Sequence, residues 1–179
     1  NGGLHPNVIT FICILKACGN IGSLEMGEEI HEEVQKQGLL EKNIMLGTAV
    51  VDMYAKCGVL GKAQKLFGEL PRHNVVSWTA LMTGYADKGL GEEVLHFFEC
   101  MQLERISPDV ISFLCSLRAT YQAGNLDKTQ ELHDKIIKKG FETDPSIGNS
   151  LVGLYARCNL FAEALDTFDK LEVQDVVSW

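Results

Sequence analysis

The segment His31-Glu32-Glu33 is where residue types and spacing in this sequence come closest to a catalytic motif. A histidine followed two residues later by a glutamate is the pattern with which zinc-dependent nucleobase deaminases bind the metal and transfer a proton. Those enzymes also require a downstream Pro-Cys-x-x-Cys segment, and the sequence has none. A similar segment later in the chain keeps His133 but continues with Asp134 and Lys135, so the spacing is lost. We therefore interpret both histidines as structural and predict neither a catalytic site nor a bound metal.

Motif content and charge argue against several other functions. The 179 residues contain no G-x-G-x-x-G, phosphate-binding loop, G-x-S-x-G or H-E-x-x-H motif, so we expect no enzyme activity and no cofactor. No run approaches the roughly 18 consecutive apolar residues of a membrane span, and we predict no membrane partner. The formal net charge of −8 argues against unselective binding of polyanions, which depends on Lys and Arg.

The six cysteines form no C-x-x-C pair and lie inside apolar helical patterns. We expect them to be buried free thiols in a reducing compartment, because a disulfide framework would place them in loops of a secreted chain. They are Cys13, Cys18, Cys57, Cys100, Cys115 and Cys158.

Two unrelated strings recur at the same offset of 101 residues, which predicts an internal repeat. NVVSW at 74–78 returns as DVVSW at 175–179, and YAKC at 54–57 returns as YARC at 155–158. Within this 101-residue period, shorter repeats can be placed by the apolar segments at which they begin. The predicted repeats are repeat 1 (8–43), repeat 2 (44–74), repeat 3 (75–109), repeat 4 (110–144) and repeat 5 (145–175), with 1–7 ending a preceding repeat and 176–179 beginning a truncated one.

The fifteenth position of every repeat holds a residue type that tolerates positive φ. These residues are Gly22, Gly58, Gly89, Gly124 and Asn159. We expect this position to end the first helix and turn the chain back. All four prolines lie near predicted boundaries, and the apolar spacing on both sides of the turn is helical. Each repeat is thus predicted to be a helical hairpin, and stacked hairpins give an all-α fold, a right-handed α-solenoid.

The alternation of 35- or 36-residue repeats with 31-residue repeats resembles the pentatricopeptide repeat proteins of land plants, in their long/short subclass. The segment 75–85 (VVSWTALMTGY) resembles the opening of the standard repeat, and 54–58 (YAKCG) resembles the short type. Ile30-His31 and Leu132-His133 resemble the second helix of the long type. The order is then long, short, standard, long, short. A tetratricopeptide-like scaffold that binds peptides is the alternative, and its constant length of about 34 residues fits less well.

The resemblance implies binding of single-stranded RNA, one base per repeat, through the fifth and last residues of each repeat. The fifth residues are Ile12, Thr48, Thr79, Leu114 and Asn149; the last residues are Asn43, Asn74, Asp109, Asp144 and Asp175. An ionised Asp only accepts hydrogen bonds and suits guanine and uracil, whereas Asn can donate to adenine and cytosine. The family pairs a fifth-position Thr with purines and Asn with pyrimidines. The implied register is 5′-x-A-G-x-U-3′, parallel to the chain, with the apolar Ile12 and Leu114 expected to give spacing or weak selectivity.

The second residue of each repeat would, by the same resemblance, wedge between adjacent bases. These residues are Ile9, Met45, Val76, Ile111 and Ser146. For Val76 and Ile111, burial in the core is an equally good interpretation, because apolar residues at helical spacing usually belong to the core. Lys56 and Arg157 end equivalent first helices, where they either contact phosphate or simply favour a solvated helix C-terminus.

Proteins of the resembling subclass act in mitochondria or chloroplasts, mostly in C-to-U RNA editing. A deaminase-type domain or editing cofactor proteins perform the chemistry while the repeats select the site. By resemblance, we expect this chain to be the site-selecting part of such a system, with the targeting peptide outside this sequence.

Overall fold

The computed structural model describes residues 6–40 and 42–171, which form ten α-helices and no strands. The chain divides into two compact halves, residues 1–88 and 89–179. The N-terminal half contains α1 (Val8–Ile21), α2 (Leu24–Lys36), α3 (Ile44–Lys56), α4 (Leu60–Glu69) and α5 (Val75–Asp87). The C-terminal half contains α6 (Gly91–Leu103), α7 (Val110–Ala123), α8 (Leu126–Lys139), α9 (Pro145–Arg157) and α10 (Phe161–Asp169). None of these helices is long and apolar enough to cross a membrane.

The odd-numbered helices α1, α3, α5, α7 and α9 begin at the residues that open the five predicted repeats, and each is followed by a second helix. An Asn or Asp stands immediately before each of these five helices as the N-cap, and its side-chain oxygen accepts a backbone N–H of the first turn. Such a cap satisfies one of the four N–H groups that a helix start leaves without a partner. The capping residues are Asn7, Asn43, Asn74, Asp109 and Asp144.

The predicted turn at the fifteenth position is confirmed. Its four glycines have φ values of 61° to 80°, and the odd member, Asn159, has φ 59°. Asn is one of the few residues with a side chain that enters this region at small cost, so the exception follows the same rule. The four prolines also lie where expected, three outside the helices and Pro145 as the first residue of α9, where its missing N–H costs nothing.

The short repeats differ from the others in their second helices. These helices have 10 residues in α4 and 9 in α10, against 13 in α2 and α6 and 14 in α8. The difference is about one turn of 3.6 residues. The three longer repeats also contain a second residue with positive φ after that helix, namely Gly38, Arg105 and Gly140. The sequence pattern did not predict this second turn, since Arg105 has no preference for positive φ.

In the N-terminal half, α3 lies between α1 and α5 and also packs against α2 and α4. Leu46, Val50 and Met53 on α3 are completely buried. The approach of α5 to α3 depends on Gly84, because a Cβ there would lie 2.6 Å from the Cβ of Ala55. Neighbouring hairpins therefore share one core, as predicted.

In the C-terminal half, α7 packs against α6, α8 and α9, and α9 packs against α10. Phe113 on α7 is buried between two other rings, with ring centroids 5.3 Å from Phe98 and 5.9 Å from Phe141. Aromatic pairs at this separation add to the stabilisation that burial alone provides. The same hairpin stacking thus organises both halves.

The prediction of buried cysteines is only partly right. All six are free thiols, but Cys13 is exposed, Cys57, Cys100 and Cys158 are half-buried, and only Cys18 and Cys115 are buried. On α1 the core face is formed by Phe11, Leu15 and Cys18, which are four and three residues apart. Cys13 lies about 200° around the helix from Phe11, so its side chain points away from the core.

The two histidines that resembled a metal motif make the same contact in both halves. His31 Nδ1 lies 3.0 Å from the hydroxyl of Tyr54, and His133 Nδ1 lies 2.7 Å from the hydroxyl of Tyr155. Each pair joins the second helix of a long repeat to the first helix of the following short repeat. Among the described residues, no group of three potential metal ligands occurs.

These pairs predict a pH window of stability. Burial lowers the pKa of both histidines below 6.5 and raises the pKa of Tyr155 to about 12. Below pH 6.5 the unfolded chain binds protons more readily than the folded chain, so the free energy of unfolding falls as the pH falls. Above pH 10 the unfolded Tyr155 loses its proton first, so stability falls again. The urea concentration at the midpoint of unfolding should therefore fall both below pH 6.5 and above pH 10. In the variant H31Q/H133Q, the urea midpoint should fall less steeply below pH 6.5. An unchanged fall would show that the two histidines do not cause it.

Candidate nucleic-acid interface

The second residues of the five repeats all lie on the surface. Ile9, Met45, Val76 and Ile111 are 70%, 66%, 58% and 50% exposed, and Ser146 is exposed as well. The interpretation of Val76 and Ile111 as core residues is therefore wrong. They point away from the core because the neighbouring position on each helix, Ser77 or Ser112, is the one that turns inward and is fully buried. Four repeats thus present one exposed aliphatic side chain at the start of the first helix, available to contact a ligand.

The last residues of repeats 1 and 2 are asparagines whose orientation is fixed by the helix cap. Asn43 Oδ1 accepts the N–H of Leu46 at 3.1 Å, and Asn74 Oδ1 accepts the N–H of Ser77 at 2.9 Å. Only the oxygen of the amide can accept, so the cap leaves the amide nitrogen unused. Each asparagine therefore keeps a hydrogen-bond donor.

The last residues of repeats 3 and 4 are aspartates in the same position. Asp109 Oδ1 accepts the backbone N–H of Ser112 at 2.8 Å and its hydroxyl at 2.7 Å. Asp144 Oδ1 accepts the N–H groups of Ser146 and Ile147 at 2.9 and 3.2 Å. The second carboxylate oxygen of each is left as an acceptor. Asp175, the last residue of repeat 5, lies outside the described residues.

The fifth residues differ more than the sequence suggested. Thr48 and Thr79 are each 6% exposed, but only Thr79 has a partner for its hydroxyl, which donates to the carbonyls of Val75 and Val76 at 3.0 and 3.1 Å. Among the described residues, nothing accepts or donates a hydrogen bond at Thr48 Oγ1. A buried hydroxyl without a partner costs about 1–3 kcal/mol. The Thr48 hydroxyl therefore carries a penalty in the free protein, and because the oxygen itself is buried a ligand can reach it only if the side chain changes rotamer.

The remaining fifth residues are half-buried and lie on first helices at the same level. Ile12 and Leu114 offer no hydrogen-bonding group. Asn149 borders a cavity between α7 and α9, which also contains Leu114. The structure thus places an apolar and a polar fifth residue side by side in the C-terminal half.

The two candidate phosphate ligands have different surroundings. Lys56 Nζ lies 2.9 Å from Asp52 Oδ2 and 3.1 Å from Asn20 Oδ1, so its charge is partly compensated. Arg157 instead donates to the Tyr121 hydroxyl, and its Cζ lies 4.8 Å from the centre of the Tyr121 ring. Both end a first helix, where a cation also stabilises the free carbonyls.

Three family models describe most of this sequence. They are a pentatricopeptide repeat domain at residues 1–69, a PPR repeat family at 73–120 and a PPR repeat at 149–176. The chain belongs to the pentatricopeptide repeat family. A chloroplastic pentatricopeptide repeat-containing protein of Arabidopsis thaliana is 35% identical over 178 residues, and a second is 36% identical over 179. Each alignment covers 99% of this chain but only 20% and 33% of those proteins.

Solved pentatricopeptide repeat structures show the same fold. The protein PPR10, in complex with an 18-nucleotide psaJ RNA element, matches 97% of this chain and 27% of its own with a TM-score of 0.73 and 18% identity. The repeat domain of Arabidopsis thaliana protein-only RNase P 1, in complex with tRNA, matches 97% of this chain and 95% of its own with a TM-score of 0.68 and 15% identity. The predicted fold class, an α-solenoid of helical hairpins, is confirmed.

Proposed function

We propose that this pentatricopeptide repeat chain binds single-stranded RNA and recognises one base per repeat. The observation that carries the proposal is the double role of the last residues. Each described last residue uses one oxygen to cap a helix and keeps one other polar atom, a donor in Asn and an acceptor in Asp. Because the cap fixes the side chain, that atom is preorganised. The RNA bound in the structures of PPR10 and protein-only RNase P 1 supports the choice of ligand.

The proposed register is 5′-x-A-G-x-U-3′. In repeat 2, the donor of Asn74 faces the ring acceptor of adenine, and the Thr48 hydroxyl, buried without a partner in the free protein, reaches the base through a change of rotamer. In repeat 3, the second oxygen of Asp109 accepts the ring N–H of guanine.

Repeat 5 combines Asn149 with Asp175 and is assigned uracil. Repeats 1 and 4 have the apolar fifth residues Ile12 and Leu114, and they leave the base identity open.

We further propose that the repeats belong to the long/short subclass and select sites for organellar C-to-U editing. The lengths of the second helices support the alternation of long and short repeats, because α4 and α10 are each about one turn shorter. The chloroplastic names of several relatives support an organellar location, in a chloroplast or a mitochondrion. A deaminase-type domain or an editing protein would then act beside the bound RNA.

The test is fluorescence anisotropy at low salt with labelled single-stranded RNAs that carry AGxU or single base changes. We expect a change of A to G or U, of G to A or C, or of U to A or C to weaken binding most, because each of these places two donors or two acceptors opposite each other. The affinity should fall as salt rises, as for any ligand whose phosphates are contacted by Lys and Arg. Equal binding of all sequences, or none by this chain and by a longer one containing it, would reject RNA recognition in favour of a peptide-binding scaffold.

A further inference from the structure

The third residue of each repeat follows the last residue of the preceding repeat by three positions, and its type separates two kinds of helix cap. After repeats 2 and 3 it is a serine, Ser77 or Ser112, and both serines are completely buried. After repeats 1 and 4 it is the buried aliphatic residue Leu46 or Ile147. Among repeats 1 to 4, a hydroxyl therefore stands behind the last residue only where the fifth residue is Thr.

The two buried serines use their hydroxyl groups differently. Ser112 donates to Asp109 Oδ1 at 2.7 Å, so one carboxylate oxygen accepts both the N–H and the O–H of Ser112. A hydroxyl has one proton, and the carboxylate is a better acceptor than the Met101 thioether 3.7 Å away. Ser77 instead donates to the backbone carbonyl of Asn74 at 2.9 Å and accepts its backbone N–H at 3.0 Å. Its hydroxyl thus holds the backbone of Asn74 rather than the side chain.

The additional hydrogen bond restricts how the Asp109 side chain can turn. A carboxylate held by a single N–H can rotate about that contact, whereas a second donor on the same oxygen opposes the rotation. Hydrogen bonds to an ionised acceptor are the strong ones, and Ser112 is completely buried, so water does not compete for this contact. The other carboxylate oxygen of Asp109 is thereby held in one direction at the start of α7.

We infer that Ser112 is a positioning residue for the base opposite repeat 3, because it holds Asp109 so that the second carboxylate oxygen accepts from guanine. This inference rests on the proposed RNA binding. The unit that reads one base then crosses the repeat boundary, since the hydroxyl that orients the last residue of repeat 3 belongs to the first helix of repeat 4. Ser77 leaves the amide of Asn74 in repeat 2 without this restraint.

S112A and S77A form a matched pair for the test. Each removes one buried hydroxyl from the same place in a capping box, so both should lower the urea midpoint of unfolding. Only S112A should change base selectivity. Its ratio of affinities for G and A at the third nucleotide should fall by about threefold to tenfold, because a carboxylate that can turn must be ordered against guanine and can avoid adenine. In S77A, the ratio for A and G at the second nucleotide should stay within about twofold of the original, as for independent changes.

The pair S112T and S112V tests the hydroxyl at nearly constant shape. Thr10 already makes the equivalent contact at the start of repeat 1, where its hydroxyl donates to Asn7 Oδ1 at 3.1 Å. S112T should therefore keep the preference for G, whereas S112V should lose it as S112A does, although both add a methyl group to a buried site. Circular dichroism establishes which variants are folded. If the added methyl group prevents folding, the comparison of S112A with S77A decides.

Fluorescence anisotropy with RNAs of the register x-A-G-x-U measures these ratios. An unchanged ratio in folded S112A, equal ratios in S112T and S112V, or equal losses in S112A and S77A would overturn the positioning role and leave Ser112 as a helix cap only. In each of these cases RNA recognition stands if the unaltered chain prefers G at the third nucleotide. If the unaltered chain binds G and A equally there, the register and this inference are both wrong.

Discussion

Replacing Asp109 by Asn should change the preferred base of repeat 3 from guanine to adenine while leaving the protein folded. Asn and Asp are equally good N-caps, and the oxygen that accepts from Ser112 is present in both. The other polar atom of the side chain, however, changes from an acceptor oxygen in Asp to a donor nitrogen in Asn. It would then oppose the ring N–H of guanine and match the ring nitrogen of adenine. The ratio of the two affinities should change by about tenfold or more, the effect of exchanging a good hydrogen bond for an unsatisfied pair.

Asp144→Asn supplies the matched control for this experiment. It removes the same charge from the same cap position in repeat 4, whose fifth residue is the apolar Leu114. Any general gain of affinity from a less negative chain should appear in both variants, whereas the change of base preference should appear only in Asp109→Asn. Anisotropy with G and A at the third nucleotide measures the ratio. A common response of the two variants, with no change of ratio, means that Asp109 does not contact the base and that the register is wrong.

The fold could be predicted from sequence because backbone constraints recur at fixed places. A residue that tolerates positive φ is needed wherever a helical hairpin turns, and Gly22 and Asn159 mark that place without reference to tertiary structure. The caps are equally local, since Asn or Asp before an apolar helix is sufficient to predict them. The second turn was missed because Arg105 enters the positive φ region under the control of its surroundings.

The sequence predicted which residues belong to the candidate site, but not their hydrogen-bond partners or their exposure. Two threonines at equivalent positions are indistinguishable in sequence, yet one hydroxyl has a backbone partner and the other has none. Likewise, Lys56 and Arg157 end equivalent first helices, yet the first contacts Asn20 and the second contacts Tyr121 on the neighbouring first helix. Both features depend on packing between helices, which the repeat pattern does not encode. The exposure of Val76 and Ile111 depends on the rotation of each helix in its hairpin, and it excludes the core interpretation that the sequence left open.

Replacing Thr48 by Val should stabilise the free protein and weaken its recognition of adenine. Val has nearly the shape of Thr and the same branching at Cβ, so it fits the helix and the buried site. The change removes a buried hydroxyl that has no partner in the described part of the chain, and the free energy of unfolding should rise by about 1 kcal/mol. Selectivity for A at the second nucleotide should fall, because the hydroxyl is one of the two groups proposed to contact that base. Urea unfolding and anisotropy measure the two effects on the same sample.

Thr79→Val is the control variant, because its effect on the free energy of unfolding should have the opposite sign or be absent. Its hydroxyl already donates to the carbonyls of Val75 and Val76, so its removal forfeits a hydrogen bond and should leave the stability unchanged or lower it by up to about 1 kcal/mol. Only Thr48→Val should therefore both raise the free energy of unfolding and lower the selectivity for A. If both variants lose stability alike, the Thr48 hydroxyl has a partner in the free protein and its role is structural. If Thr48→Val gains stability and keeps its preference for A, Asn74 alone selects the base and the fifth position in this repeat is a spacer.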